Sequence, residues 1–373
     1  MAQFASLPPR TPPGRPIGGR GAQSAEVPTR FGLATRETDG DWLDDRELVD
    51  KDVGQAKLRT TVTDEHPRSI LTFNRSPDVP FDRSVNAYRG CEHGCIYCFA
   101  RPTHAFHDLS PGLDFETRLF AKPDAARLLR ETFAKPSYMP DTLAMGTNTD
   151  PYQPIEGRYR ITREVLEVCV ETRHPVMITT KSDRVLRDLD VLTELARLNL
   201  VAVGISVTSL DPVLSGRLEP RAAAPAKRLA ALAKLTEAGV PTHVGVAPVI
   251  PSITDEWMER ILTEAAMRGV RSASWILVRL PHEVAPLFRE WLEVHFPERA
   301  GKVMAIVRST RGGKEYDATW FTRMKPQGTW ATLLDARFRL ACKRLGINQG
   351  EHKLRLDSSQ FIRPERGGQL RLL

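Results

Sequence analysis

From about residue 84 onward, short apolar runs alternate with stretches of helical period. The runs at 84–90, 142–146, 176–180, 200–207, 242–249 and 273–279 include VMITT and LVAVGISV. They are short and rich in Val and Ile, as strands buried on both faces are. Residues 123–134, 161–173, 184–198, 225–238, 255–268 and 286–296 repeat apolar positions every three to four residues, which predicts helices. Thr254 precedes one of them, with acids in the first turn and Gly269 just past its end, a start and a stop for that helix. Six βα units in series predict an α/β fold built on parallel strands with right-handed crossovers. Six strands are too few to close an eight-stranded barrel simply, and the same rhythm fits a doubly wound sheet. In either architecture the chemistry sits at the C-terminal ends of the strands. That rule singles out the loop after the first strand, then GTNTDPYQP, TKSD, VTSLDP and PVIPS.

Composition narrows the setting. The chain has 373 residues, 41% hydrophobic and 27% charged, ordinary for a globular protein. No run of about 18 apolar residues predicts a membrane span. The start, MAQFASLPPRTPPGRPIGGRG, lacks the apolar stretch of a secretory signal, so a cytoplasmic location is expected. Residues 1–65 are rich in Pro, Gly and Arg and then acidic from Glu37 to Asp52; they read as largely disordered, with a short helix near Trp42–Val49. Residues 66–296 form the βα core, and residues 297–373 a basic C-terminal extension. The net charge is +7, and residues 301–373 alone carry 15 Lys and Arg against 6 Asp and Glu. That tail suits an anionic partner or a solvated surface.

Three of the five cysteines, Cys91, Cys95 and Cys98, fall in the loop after the first strand as C-x3-C-x2-C. An odd, clustered set is no disulfide framework. A closed zinc site would need a fourth ligand from His93, His104 or His107, at a spacing unlike the common Cys/His fingers. Clustered thiolates hold iron–sulfur clusters, normally with four ligands; three leave one iron open for substrate or cofactor. Gly90 and Gly94 permit the tight turns that wrap three ligands round one cluster. Cys169 and Cys342 lie in helical patterns and read as core residues.

The loop NAYRGCEHGCIYCFARPTH, with Tyr97 before the third cysteine, resembles the cluster motif of the radical S-adenosylmethionine (SAM) superfamily. With GTNTDPYQPIEG and TKS, it is similar to the subgroup related to spore photoproduct lyase, often labelled DNA repair photolyase-like. The likeness covers roughly residues 70–345. It implies a partial (β/α)6 TIM-like barrel, with the C-terminal extension covering part of the mouth. It also implies a [4Fe-4S] cluster on Cys91, Cys95 and Cys98, with SAM on the open iron. The implied reaction is reductive cleavage of SAM to a 5′-deoxyadenosyl radical, which abstracts hydrogen from a substrate. A reduced flavodoxin or ferredoxin would supply the electron. Lys181 would pair with the SAM carboxylate, and Gly146, Thr147 and Asn148 would receive the amino group. Ser206 would bond ribose or carboxylate, Glu219 and Arg221 would face SAM, and Tyr97 would lie towards the adenine.

The analogy stops short of thymine-dimer repair. Spore photoproduct lyase uses a cysteine near the end of its second core strand as hydrogen donor, whereas residues 99–168 here contain none. Thr147 at that place has too strong an O–H bond. Residues 307–330 mix Arg and Lys with Tyr316, Trp320, Phe321 and Trp330, a composition that suits stacked bases and phosphates. The substrate classes left open are nucleic acid and protein. The rival reading is a non-catalytic iron–sulfur or zinc protein that binds nucleic acid through its basic end.

Overall fold

The computed structural model describes residues 19–22, 24, 59–349 and 355–365. Its strands are β1 (Thr61–Asp64), β2 (Leu71–Phe73), β3 (Arg83–Val85), β4 (Tyr88–Arg89), β5 (Arg118–Ala121), β6 (Leu143–Met145), β7 (Val176–Thr180), β8 (Val201–Ser206), β9 (Thr242–Val249) and β10 (Ser272–Leu277). One sheet runs β10-β9-β8-β7-β6-β3-β2, parallel from β3 to β10, with β2 antiparallel at the edge. Spatial order equals chain order, so there is no point at which the order reverses. That is the winding of a barrel and not of a doubly wound sheet. The sheet ends at β10 and β2, which do not pair with each other. The barrel is partial.

The expected strands match these six within a few residues, except the first. Val85 is the last residue paired with β6, and Tyr88–Arg89 peel away to pair with β5. The outer layer holds α1 (Ala125–Phe133), α2 (Ile161–Glu171), α3 (Leu189–Arg197), α4 (Pro225–Glu237), α5 (Met258–Met267), α6 (Val284–His295), α7 (Pro297–Ser309) and α8 (Gly328–Leu345). The helix expected over 184–198 is a tight 3₁₀ turn, Asp183–Asp188, leading into α3. Ser182 starts that turn by accepting the Arg184 N–H at 3.2 Å. No helix of the described residues is long and apolar enough to cross a membrane.

One expectation needs correction. Residues 61–64 fall inside the segment read as largely disordered, yet they form β1, parallel to β5. Gly21 and Ala22 are buried, their N–H groups bound to Glu116 Oε2 at 3.1 Å and Oε1 at 2.9 Å. These contacts are backbone to a distant side chain, which leaves no apolar period to read. The helix expected near 42–49 lies outside the described residues. The basic C-terminal extension after residue 297 packs on the rest of the fold. Val303, Met304 and Val307 of α7 share a core with Phe288 and Trp291. Leu334, Phe338 and Cys342 of α8 join the main core, as does Cys169, fully buried. Each such side chain withdrawn from water stabilises the fold by roughly 1.5–3 kcal/mol.

Between α7 and α8, residues 310–327 form a strap across the open seam. At one end Arg311 Nη2 donates to the Val278 carbonyl, just past β10, at 3.3 Å. At the other, Arg323 grips Asp78 in the β2–β3 loop, Nε at 2.8 Å and Nη2 at 2.6 Å. A 2.9 Å bond from Gln327 N to Thr310 O closes the base of the strap.

Candidate metal centre

The cysteine loop leaves β4 and lies over the C-terminal ends of β6 to β8. Gly90 (φ +71°) and Gly94 (φ +65°) turn it in the left-handed region. A Cβ on Gly90 would meet Phe115 O at 2.8 Å, so no larger residue fits. The floor is apolar: Ile96 and Tyr97 pack with Leu218, Ile250, Val278 and Phe288.

A buried pair fixes the loop's path. Arg101 and Glu116, both fully buried, meet at 2.5 Å. Arg101 Nε donates to Cys95 O at 3.0 Å and Nη2 to Gly94 O at 3.2 Å. Glu116 accepts Gly21 and Ala22 from the other side. On the barrel side, Gln153 Oε1 accepts the Glu92 N–H at 2.9 Å, and His93 Nδ1 lies 3.3 Å from Asp150 Oδ2. Asp150 also accepts the Lys181 N–H at 2.7 Å and the Thr180 hydroxyl at 2.6 Å. Burial would raise the Asp150 carboxyl; His93 and these donors hold it at about 2.

Cys91 and Cys95 are buried, and Cys98 is half-buried. Burial pushes the Cys91 thiol up, and Asp150, Cys95 and Cys98 push it further. Burial takes Cys95 to about 12, against the pull of Lys181. Thiols held neutral in this way, Cys91 and Cys95, ionise more readily when a positive metal centre binds them. Among the described residues, no group of three or more Cys, His, Asp or Glu converges on a single ion. A multi-iron cluster asks for something else, since each thiolate binds a different iron. The donor set fits such a cluster.

The other candidate residues surround the loop. Lys181, just past β7, holds its ammonium 5.7 Å from the centre of the Tyr97 ring. Burial would lower it, but Cys95 and Glu219 outweigh burial and raise it. Gly146 (φ +87°) directly follows β6; a Cβ there would fall 2.0 Å from Thr179 O. Thr147 Oγ1 and Asn148 N both bond the Asn86 side chain, at 3.4 Å and 3.0 Å. Ser206 is the last residue of β8 and is buried.

Glu219 is the hub of a network. It accepts the Tyr97 hydroxyl, the Thr208 hydroxyl at 2.7 Å, and Arg228, with which it forms a buried ion pair. Burial would raise its carboxyl; Arg228, then Lys181, hold it below the usual range. Arg228 also donates to Ser206 O at 3.0 Å. Arg221 stands apart. Its side chain is 36% exposed and pairs with Glu92 at 3.0 Å, on the outer side of the loop.

Sequence reasoning missed Arg101, Glu116, Arg228, Thr208, Gln153 and Asn86. Arg101 carried the best signal, a cation three residues after the last cysteine of the loop. The partners of the others lie far away in the chain.

A family model described as the Radical SAM superfamily matches residues 85–265. An uncharacterised protein of Mycobacterium tuberculosis is 37% identical over 241 residues, covering 63% of this chain and 71% of the relative. Another, from Methanocaldococcus jannaschii, is 26% identical over 215 residues, covering 57% of this chain and 76% of the relative. Among solved structures, spore photoproduct lyase complexed with dinucleoside spore photoproduct superposes with a TM-score of 0.54 at 17% identity, covering 77% of this chain and 80% of that one. The family match, the cysteine loop and the parallel strands beneath it agree, and the chain belongs to the radical SAM superfamily and is a radical SAM enzyme.

Proposed function

We propose that Cys91, Cys95 and Cys98 hold a [4Fe-4S] cluster with one iron open to SAM, and that the enzyme takes a hydrogen atom from a nucleic acid or protein substrate in the cytoplasm. One observation carries the reading: two buried thiols and a half-buried third sit in one loop at the C-terminal edge of a parallel sheet, with the ammonium of Lys181 acting on Cys95. When bound, the two groups supply reductive cleavage of SAM, giving methionine and a carbon radical for hydrogen abstraction.

The protein's own share is orientation and shielding. Lys181 offers a cation for the SAM carboxylate. Asp150 fixes the backbone from which that side chain springs. Asn86 shapes the Gly146–Asn148 turn to receive the amino group. Tyr97 is held by Glu219 and presents its ring towards Lys181, which suits the adenine side. Ser206 and Glu219 line the end of β8, and Arg221 steadies the loop through Glu92. A reduced flavodoxin or ferredoxin is the proposed electron donor. The lack of a cysteine over residues 99–168 argues against dimer repair by the route of spore photoproduct lyase.

The test is anaerobic reconstitution with iron and sulfide, then dithionite and SAM, with 5′-deoxyadenosine as readout. Formation that disappears in Cys95→Ala supports the reading. A protein that binds zinc alone and ignores SAM refutes it.

A further inference from the structure

Two cations at the mouth lack the counter-charge that Arg101 finds in Glu116 and Arg228 in Glu219. Arg279 follows β10, and its guanidinium carbon lies 4.7 Å from the centre of the Phe99 ring, next to Cys98. Its Nη1 faces Met324 Sδ at 3.1 Å, a weak acceptor. Arg311 is 3% exposed and donates to the carbonyls of Val278 and Arg323, yet its Nε has no acceptor. Among the described residues neither guanidinium reaches a carboxylate at ion-pair distance. Asp78 is taken by Arg323, and Asp317 by the Thr319 N–H at 2.8 Å. Burial opposes the charge on both, and Arg279 opposes that of Arg311. Neighbouring like charges withdrawn from water are costly unless something negative joins them. Against Arg279 stands an exposed flat ring, Phe99 at 46%. Planar guanidinium forks match phosphate, and exposed rings match bases.

We propose that Arg279 and Arg311 form a phosphate site beside the cysteine loop, with Phe99 as a stacking face, so that the ligand is a phosphate ester carrying a base. A nucleic-acid strand and a free nucleotide share that chemistry. Calling the ligand the substrate rests on the radical SAM reading; the binding does not.

The test is fluorescence anisotropy of labelled single-stranded DNA and RNA with the full chain, without SAM or reductant, over a range of salt. AMP and inorganic phosphate serve as competitors. Arg279→Gln should weaken binding by about tenfold or more. It should also lower the salt slope by about 0.7 for each lost phosphate contact. Phe99→Ala should weaken strand and AMP binding by about tenfold, but not that of phosphate. A strand that AMP does not displace marks nucleic acid as the source, and tight AMP binding without strand binding marks a free nucleotide. Arg311→Gln is read only if its melting temperature matches wild type; Arg279→Gln and Phe99→Ala decide without it. The proposal is overturned if wild type binds none of the probes, or if Arg279→Gln binds them with unchanged affinity and slope. Binding with no 5′-deoxyadenosine formation would sink the proposed reaction and leave this site standing.

Discussion

Replacing Glu116 by Gln tests whether a buried ion pair holds the cysteine loop. The swap preserves volume, so no cavity is made and the change is electrostatic. Glu116 is fully buried and accepts Arg101, Gly21 and Ala22 through its two oxygens. Gln keeps one oxygen and turns an NH₂ towards groups that are themselves donors. Arg101 then stays buried without its counter-charge. Breaking a buried pair from one side costs about 3–5 kcal/mol. That is a large share of the roughly 5–15 kcal/mol that holds a domain folded. The exposed Arg127–Glu131 pair, 57% exposed on each side, is the control, and Glu131→Gln should leave the urea midpoint nearly unchanged. Because Arg101 also fixes the carbonyls of Gly94 and Cys95, iron retention should fall together with stability. The assay is urea unfolding of the apo protein, together with iron content after anaerobic reconstitution. A Glu116→Gln protein within about 1 kcal/mol of wild type and with full iron would refute the argument, since breaking a buried pair from one side costs at least about 3 kcal/mol.

Other expectations are independent of this pair. Gly146→Ala would place a methyl 2.0 Å from Thr179 O at a φ of +87°, and should cost about 1–3 kcal/mol or more in thermal unfolding. His174 is stacked on Phe133 and bonded through both nitrogens, to Tyr138 and to the Pro175 carbonyl, and burial holds it neutral with a value of about 3. The unfolded chain takes up that proton near pH 6.5, so stability is full above that pH and falls below it by about 1.4 kcal/mol per pH unit. Urea midpoints between about pH 7 and pH 5 should show a shallower fall in His174→Gln. Arg323 holds the Asp78 carboxyl well below its usual range. Asp78→Asn should free the strap and speed proteolytic cleavage within 310–327, while the melting of the core stays nearly unchanged.

The repetitive parts of the molecule were legible in its sequence. A strand such as VAVGIS is buried along its whole length because helices cover one face and the barrel interior the other, and such continuity survives in any reading frame. The three cysteines were legible because one loop supplies them all. What escaped is held by distant partners. β1 reads TVTD, with one large apolar residue in four, and exists because β5 offers it a parallel edge. Glu116 looks like a surface acid of a short helix until Gly21, 95 residues earlier, and Arg101 close on it. Arg221 and Arg228 are both cations in one short stretch. Only the fold decides that Arg228 turns inward to Glu219 while Arg221 turns out to Glu92.

A closed barrel has a girth fixed by strand number and shear. This sheet stops at β10 on one side and β2 on the other, so its ladder sets no perimeter. What bridges the gap is the loop from Arg311 to Arg323, fastened to a carbonyl at one end and a carboxylate at the other. The aperture therefore has one side whose span is a matter of loop length, which changes at little thermodynamic cost. Lengthening or shortening that side alone would change the opening and leave Cys91, Cys95, Cys98 and the floor beneath them as they are.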